Sequence, residues 1–195
     1  MRSLVAIEFI TLDGVMQGLG SPEEDTDGGF THGGWGAPYA DGIHRSVGAA
    51  SAGDTSAYLF GRRTYQKMAA FWPSQPDSNP IAASMNSTPK YVASRTLRTL
   101  EWDGSHLLSG DLEEAVRGLK GEGEGDIAVL GSGVLLHQLM ALGLVDELML
   151  FVHPLILGTG KRLFRDLPTP QTARLADVSS TDQGSLCLRY YLLGG

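Results

Sequence analysis

The sequence predicts one α/β domain: a mixed, mostly parallel sheet in three layers, with flanking helices and a C-terminal antiparallel hairpin. Three patterns predict it. Short apolar segments rich in β-formers alternate with helical patterns through the middle of the chain, the signature of a parallel sheet with covered faces. The first of these segments, residues 4–10, is nearly all apolar, as a strand buried on both faces must be. The last two, 173–181 and 185–193, flank Asp182-Gln183-Gly184, a hairpin turn.

The elements follow in order. After the first strand, Asp13-Gly14 turns the chain and Val15-Met16 adds a short extended piece. Residues 17–36 form a long loop rich in glycine and acids, with Phe30, His32 and Trp35 embedded; long loops inside compact domains are more often functional than idle. Pro38 suits a first helical position, and Tyr39, Ile43, Val47 and Ala50 recur at helical spacing, predicting a helix there. Tyr58-Leu59-Phe60 is a strand stopped by Gly61. A helix over 62–71 ends at Trp72-Pro73, and Asn79-Pro80 opens a short helix through Met85. Strands are predicted at 90–94, 106–108 and 127–130. Between the last two, Asp111-Leu112-Glu113-Glu114 begins an amphipathic helix whose early acids suit the helix dipole. A helix over 134–142 stops at Gly143, and 147–156 reads as a strand interrupted by Pro154. No linker, repeat or shift of composition divides the chain, so residues 1–195 read as one domain.

Composition narrows the function. With 195 residues, 42% hydrophobic and 19% charged, the chain can bury a sizeable core. The single cysteine, Cys187, excludes an internal disulfide framework. The apolar start is broken by Glu8 and is too short for a signal peptide or a membrane span, so a cytoplasmic location is expected. A net charge of −7 argues against a general nucleic-acid binder. Part of that charge is local, in Glu23-Glu24-Asp25-Thr26-Asp27 and Glu122-Gly123-Glu124-Gly125-Asp126, both read as solvated loops.

The common nucleotide and catalytic signatures are absent. Gly131-Ser132-Gly133-Val134-Leu135-Leu136 lacks the third glycine of a Rossmann fingerprint, and Gly158-Thr159-Gly160-Lys161-Arg162 lacks P-loop spacing. The five histidines are scattered without ligand spacing, so no metal site is expected. There is no G-x-S-x-G elbow.

Three strand ends nevertheless suit anions. Gly131-Ser132-Gly133 joins a buried strand to a helix, where backbone N–H groups and the positive helix terminus converge; a tight turn needing glycine only for shape is the alternative. Gly61-Arg62-Arg63-Thr64 places two arginines in the first turn of a helix, an electrostatic misfit unless an anion sits there. Val92-Ala93-Ser94-Arg95-Thr96 ends a strand with two hydroxyls around an arginine, at the edge where α/β sheets bind ligands. Three such ends in one domain point to a ligand with several phosphates.

At these residues the sequence resembles the dihydrofolate reductase-like superfamily. Within it, the chain is most similar to the group containing the reductase domain of riboflavin-biosynthesis deaminase/reductases and its stand-alone relatives. The likeness rests on Thr11-Leu12-Asp13-Gly14, Gly34-Trp35 with Pro38-Tyr39-Ala40-Asp41, and the segments 59–65, 90–97, 127–135 and 145–164, and spans nearly the whole chain. It implies a sheet of about eight strands and NADPH as hydride donor. Carried over by position, Arg62 and Arg95 with Ser94 would hold the adenosine 2′-phosphate. Arg63, Thr64 and the backbone of Gly131, Ser132, Gly133, Val134 and Leu135 would cradle the pyrophosphate, with Phe9 and Met16 beside the nicotinamide; Gly61 and Thr96 are further cofactor-side candidates. Asp41 falls where dihydrofolate reductases place the acidic residue that grips the pterin ring and is the candidate for proton delivery or substrate anchoring; Asp13, Phe30 and Trp35 join it as substrate-side candidates. Two departures stand out: the 17–36 loop does not follow the dihydrofolate reductase pattern, and Ser132 replaces a glycine.

The resulting expectation is an NADPH-dependent reductase of a pteridine- or pyrimidine-like heterocycle. The alternatives are a non-catalytic nucleotide- or heterocycle-binding module on the same fold and, more remotely, a flavin or antifolate binder. For Phe30, His32 and Trp35 the alternative is a loop staple packed on the core. A homodimer is also expected, because residues 148–152 and the apolar hairpin offer more surface than one sheet face covers; the resemblance points the same way.

Overall fold

The computed structural model describes residues 1–42, 55–165 and 167–193. Eight strands form a mixed sheet, with β1 at Leu4–Thr11, β2 at Thr55–Gly61, β3 at Lys90–Ala93, β4 at Ser105–Leu108, β5 at Asp126–Leu130, β6 at Glu147–His153, β7 at Thr172–Ser180 and β8 at Leu186–Leu193. Their order is β4-β3-β2-β5-β1-β6-β8-β7. β2 pairs parallel with both β3 and β5, β3 pairs parallel with β4, and β7 with β8 form the antiparallel hairpin. The helices are α1 (Arg62–Phe71), α2 (Pro80–Ser87), α3 (Leu112–Gly121) and α4 (Gly133–Ala141). Among the described residues, no helix is long and apolar enough to cross a membrane.

The elements lie close to where the sequence places them. β1 is buried at seven of its eight positions, so its continuous apolar run does reflect cover on both faces. β6 ends at His153, immediately before Pro154, which has no N–H to give a ladder. After a 3-10 turn at Ala37–Tyr39, Ala40, Asp41 and Gly42 are helical. The remainder of the helix expected there, with Ile43, Val47 and Ala50, lies outside the described residues.

The chain packs as two compact units, residues 1–6 with 51–147 and residues 7–50 with 148–195. In the first, Phe60 is fully buried and stacks on Tyr58 at 5.9 Å and on Trp102 at 6.1 Å. Lys90 is fully buried as well, and its ammonium is not left bare. Lys90 Nζ donates to Asn86 O at 2.8 Å and Asp103 O at 2.9 Å, and lies 4.5 Å from the Trp102 ring centroid. Burial still pulls its pKa below the ordinary lysine value. Asn79 caps α2 and Asp111 caps α3, each accepting two backbone N–H bonds at the helix start.

The second unit contains a loop core in which Val15, Phe30 and Trp35 are buried against Leu19, Leu155 and Leu157. Leu148, Met149, Leu150 and Phe151 of β6 are 6% exposed or less, which corrects one expectation: this run is covered by the chain itself. On the hairpin, by contrast, Leu175, Val178, Leu186 and Leu193 are exposed.

Deleting the Phe60 ring leaves a void between two aromatic neighbours. Phe60→Ala is expected to lower the urea unfolding free energy by about 3–5 kcal/mol with an unchanged m-value. Ile156→Ala, at a position 70% exposed, should stay within about 0.5 kcal/mol of the parent.

Candidate functional site

In the first unit the parallel register brings three strand ends level. Gly61 of β2 stands opposite Ala93 of β3, and Leu59 stands opposite Val129 of β5. The segments that follow, Arg62-Arg63-Thr64, Ser94-Arg95-Thr96 and Gly131-Ser132-Gly133, therefore leave the sheet at one edge, the carboxyl edge where α/β sheets receive ligands.

Close approach of backbone to side chain explains the glycines. A Cβ on Gly61 would lie 2.6 Å from Ser132 Oγ, although the φ of −77° at Gly61 suits any residue. A side chain at Gly61 would thus need the Ser132 hydroxyl to turn aside. Gly131 has φ of +52°, and a Cβ there would also press on Thr64 Oγ1 at 3.3 Å. The Gly131-Ser132 peptide is cis.

These contacts set the N-caps of two helices side by side, Gly61 for α1 and Ser132 for α4, and neither cap makes a side-chain hydrogen bond. The first turn of α1 carries no acid, and Arg62 and Arg63 there are exposed. Two positive helix termini and two guanidinium groups at one edge suit a polyanion. Ser94 Oγ accepts from Thr96 N at 3.2 Å and Leu97 N at 3.0 Å, which leaves its hydrogen to donate, beside an exposed Arg95. Val134 is exposed and Leu135 buried, so at these two positions only the backbone suits an anion.

The second unit holds the other candidates. Asp13 is engaged within the chain: it accepts from Thr11 Oγ1 at 2.6 Å, Leu157 N at 3.1 Å and Gly158 N at 2.8 Å, with Arg162 Nη2 at 3.5 Å. The Thr11 hydroxyl first, then the backbone N–H donors, hold its pKa down at about 2. The Gly158-Thr159-Gly160 turn thus already holds a carboxylate of its own chain.

The acidic stretch read as a solvated loop is a folded strap. Lys161 Nζ grips Asp25 at 2.7 Å and Asp27 at 2.8 Å. Gln17 Nε2 donates to Asp25 O at 3.1 Å and Asp27 O at 3.0 Å, its Oε1 accepts from Lys161 N at 2.9 Å, and its carbonyl accepts from Trp35 Nε1 at 2.7 Å. The side-chain partners of Asp25 and Asp27 are not legible in the sequence, because Lys161 lies more than a hundred residues away.

Phe30 and Trp35 both belong to the loop core, and Phe30 meets exposed His32 edge-on at 5.7 Å. The staple alternative therefore describes the packing of Phe30. Trp35 also reaches His153, as do Phe9 and Tyr39. Phe9 and Met16 are half-buried, and Asp41 is exposed in its helical turn. Among the described residues, no group of His, Cys, Asp and Glu is arranged to hold a metal ion.

The eight-stranded order with its terminal hairpin defines a mixed-sheet α/β protein. The chain belongs to the RibD C-terminal domain family, whose model matches residues 2–187. It is 27% identical over 200 residues to the uncharacterized protein YyaP of Bacillus subtilis, covering 99% of this chain and 96% of that protein. A putative riboflavin biosynthesis protein from Shewanella sp. PV-4 shares the fold with a TM-score of 0.68 at 17% identity, over 98% of this chain and 99% of that one. A pyrimidine reductase-like protein from Corynebacterium diphtheriae does so with a TM-score of 0.59 at 17% identity, over 100% and 93% of the two chains.

Two outcomes test this geometry. Gly61→Ala is expected to destabilise by about 1–3 kcal/mol through overpacking, and adding Ser132→Gly should recover most of the loss; additive losses in chemical denaturation would place the clash elsewhere. Asp13 binds its proton more weakly folded than unfolded, so its stabilising contribution is complete above about pH 4 and is lost as the pH falls toward 2. The gap in urea midpoint between the parent and Asp13→Asn should be widest at pH 5–7 and narrow on acidification through that window.

Proposed function

We propose that the protein is an NADPH-dependent reductase that transfers a hydride to a planar pteridine- or pyrimidine-like heterocycle. The observation that carries this reading is the single sheet edge at which two helix N-termini, two glycines held open against side chains, and the arginines of two strand ends come together. The family membership supports a reductase. Such an edge fits a dinucleotide: Gly61 and Gly131 keep Cβ atoms out of the space beside Ser132 and Thr64, and the residues present donate rather than accept.

In this reading, the backbone from Gly131 to Leu135 with Arg63 and Thr64 holds the pyrophosphate, and Arg62, Ser94, Arg95 and Thr96 hold the 2′-phosphate. The bound cofactor supplies the hydride. Phe9 and Met16 border the nicotinamide. Asp41 lies beside the substrate ring and delivers a proton or anchors it, a role that exposure in a helical turn permits. Asp13 serves the substrate side by fixing the loop through Leu157 and Gly158. The cytoplasm, where reduced nicotinamide cofactors are held, is the proposed compartment.

We also propose a homodimer built on the hairpin. All nine residues of β7 are exposed and β7 is an edge strand of the sheet, with Leu175 and Val178 on it. Free edges of this length are normally covered. Analytical ultracentrifugation at micromolar protein should show twice the 20.8 kDa chain mass, and a single species at 20.8 kDa would exclude it.

The sharpest outcome concerns the 2′-phosphate. Hydrogen bonds from charged groups contribute about 1.5–3 kcal/mol each, and about 1.4 kcal/mol is tenfold in affinity. After solvent screening, a preference for NADPH over NADH on the order of a hundredfold is expected. Arg95→Ala should weaken NADPH far more than NADH, and added salt should narrow the difference. Equal affinity for the two cofactors would remove the assignment. Asp41→Asn should impair turnover or heterocycle affinity and leave NADPH affinity alone. Tight NADPH binding without oxidation by any pteridine or aminouracil would instead identify a binding module.

A further inference from the structure

His153, the last residue of β6, is fully buried, and its two ring nitrogens are treated unequally. Nδ1 lies 2.9 Å from the hydroxyl of Ser185, itself buried. Nε2 is sealed from solvent and has no hydrogen-bond partner among the described residues. Buried polar atoms are almost always paired, because an unmade bond forfeits the hydration lost on burial. A fold that needed only an apolar side chain here would lose nothing by carrying one.

The surroundings are aromatic. Phe9 lies parallel to the imidazole at 6.4 Å, Tyr39 is tilted over it at 4.8 Å, and Trp35 meets it edge-on at 5.5 Å. Phe9 and Tyr39 are half-buried, so solvent reaches two walls of this box while the imidazole stays dry. Tyr39 ends a short 3-10 turn whose other residues, Ala37 and Pro38, are exposed.

From this geometry we infer that Phe9, Trp35 and His153 line a binding subsite for a flat, uncharged heteroaromatic ring, which displaces the Tyr39 side chain and meets the edge of the imidazole, hydrogen-bonding in its plane to His153 Nε2. His153 is the residue that selects the ring edge. Burial holds its pKa at about 4, so the imidazole is neutral at pH 7. The Ser185 hydroxyl can donate to Nδ1 or accept from it, which makes Nε2 a donor or an acceptor in turn. The subsite therefore reads a ring that presents an amide-like N–H or C=O edge, and rejects an apolar ring of the same size, which would leave Nε2 unpaired. The inference rests on the heterocycle reading of the function and assigns that ring to named atoms.

The test uses the whole protein, with pterin and naphthalene as probes and NADPH as a separate titrant. Calorimetry should show pterin binding to the parent and naphthalene binding at least tenfold more weakly. His153→Phe keeps a flat ring without nitrogens and should lose tenfold or more in pterin affinity while NADPH affinity is unchanged. His153→Gln places an amide at the reach of Nε2 and should recover binding to within about threefold of the parent. Tyr39→Ala should bind pterin no more weakly than the parent. On the parent protein, saturating pterin should shift the Nε2 nitrogen resonance of His153. Parent-like pterin affinity in His153→Phe, or an unmoved Nε2 resonance at saturation, would overturn the subsite, as would failure of pterin to bind the parent. Loss of NADPH binding with the pterin results intact would overturn the proposed reductase function and leave the subsite standing.

Discussion

Much of the candidate site follows from the register of β2. Parallel pairing of Gly61 with Ala93, and of Leu59 with Val129, makes the three strands end together, so three loops far apart in sequence leave one edge. The pairing also brings Gly61 against Ser132, where a Cβ would meet the Ser132 hydroxyl at 2.6 Å. A one-residue slip would send every β2 side chain to the opposite face of the sheet. Phe60 would leave its place between Tyr58 and Trp102, and the two helix N-caps would separate. The core and the anion-friendly edge are thus two consequences of one register.

The second unit is organised by long-range polar ties. A loop of twenty residues with so many glycines gains little order from its backbone. Gln17 uses three polar atoms to fix Asp25, Asp27, Lys161 and Trp35, while Lys161 neutralises the two acids. The carboxylates stabilise the charged lysine more than burial disfavours it, so the Lys161 pKa lies above its ordinary value. Asp13 performs the same service from the other end of the loop, through Leu157, Gly158 and Arg162. The aromatic side chains Phe30 and Trp35 are buried because these ties hold them against Val15. Order in the loop is thus a prerequisite for any role its aromatic residues take.

Buried ionisable groups in the two units are handled in opposite ways. Lys90 is buried with two carbonyl acceptors and an aromatic face, an arrangement that leaves its ammonium satisfied. His153 is buried with one nitrogen satisfied by Ser185 and the other left over among the described residues, between rings. The first serves the fold, since Asn86, Asp103 and the Trp102 ring of its own unit complete the ammonium. The second is the kind of local inconsistency that folded proteins retain where something else completes it.

Most of the architecture was legible in the residues themselves. Apolar runs, early helix acids, Asn79-Pro80, Trp72-Pro73 and Asp182-Gln183-Gly184 act over a few residues, so periodicity and turn chemistry located every described strand and helix to within a few positions. The anion-friendly segments were legible for the same reason: hydroxyls, arginines and glycines at strand ends are local signals. Tertiary structure alone decided which of these signals meet. The tight space at Gly61 comes from Ser132, the fate of Asp25 and Asp27 from Lys161, the cover of β6 from its packing, and the surroundings of His153 from Phe9, Trp35, Tyr39 and Ser185. Each of these is a contact between residues distant along the chain, set by strand register and burial, and no local pattern in the sequence encodes it.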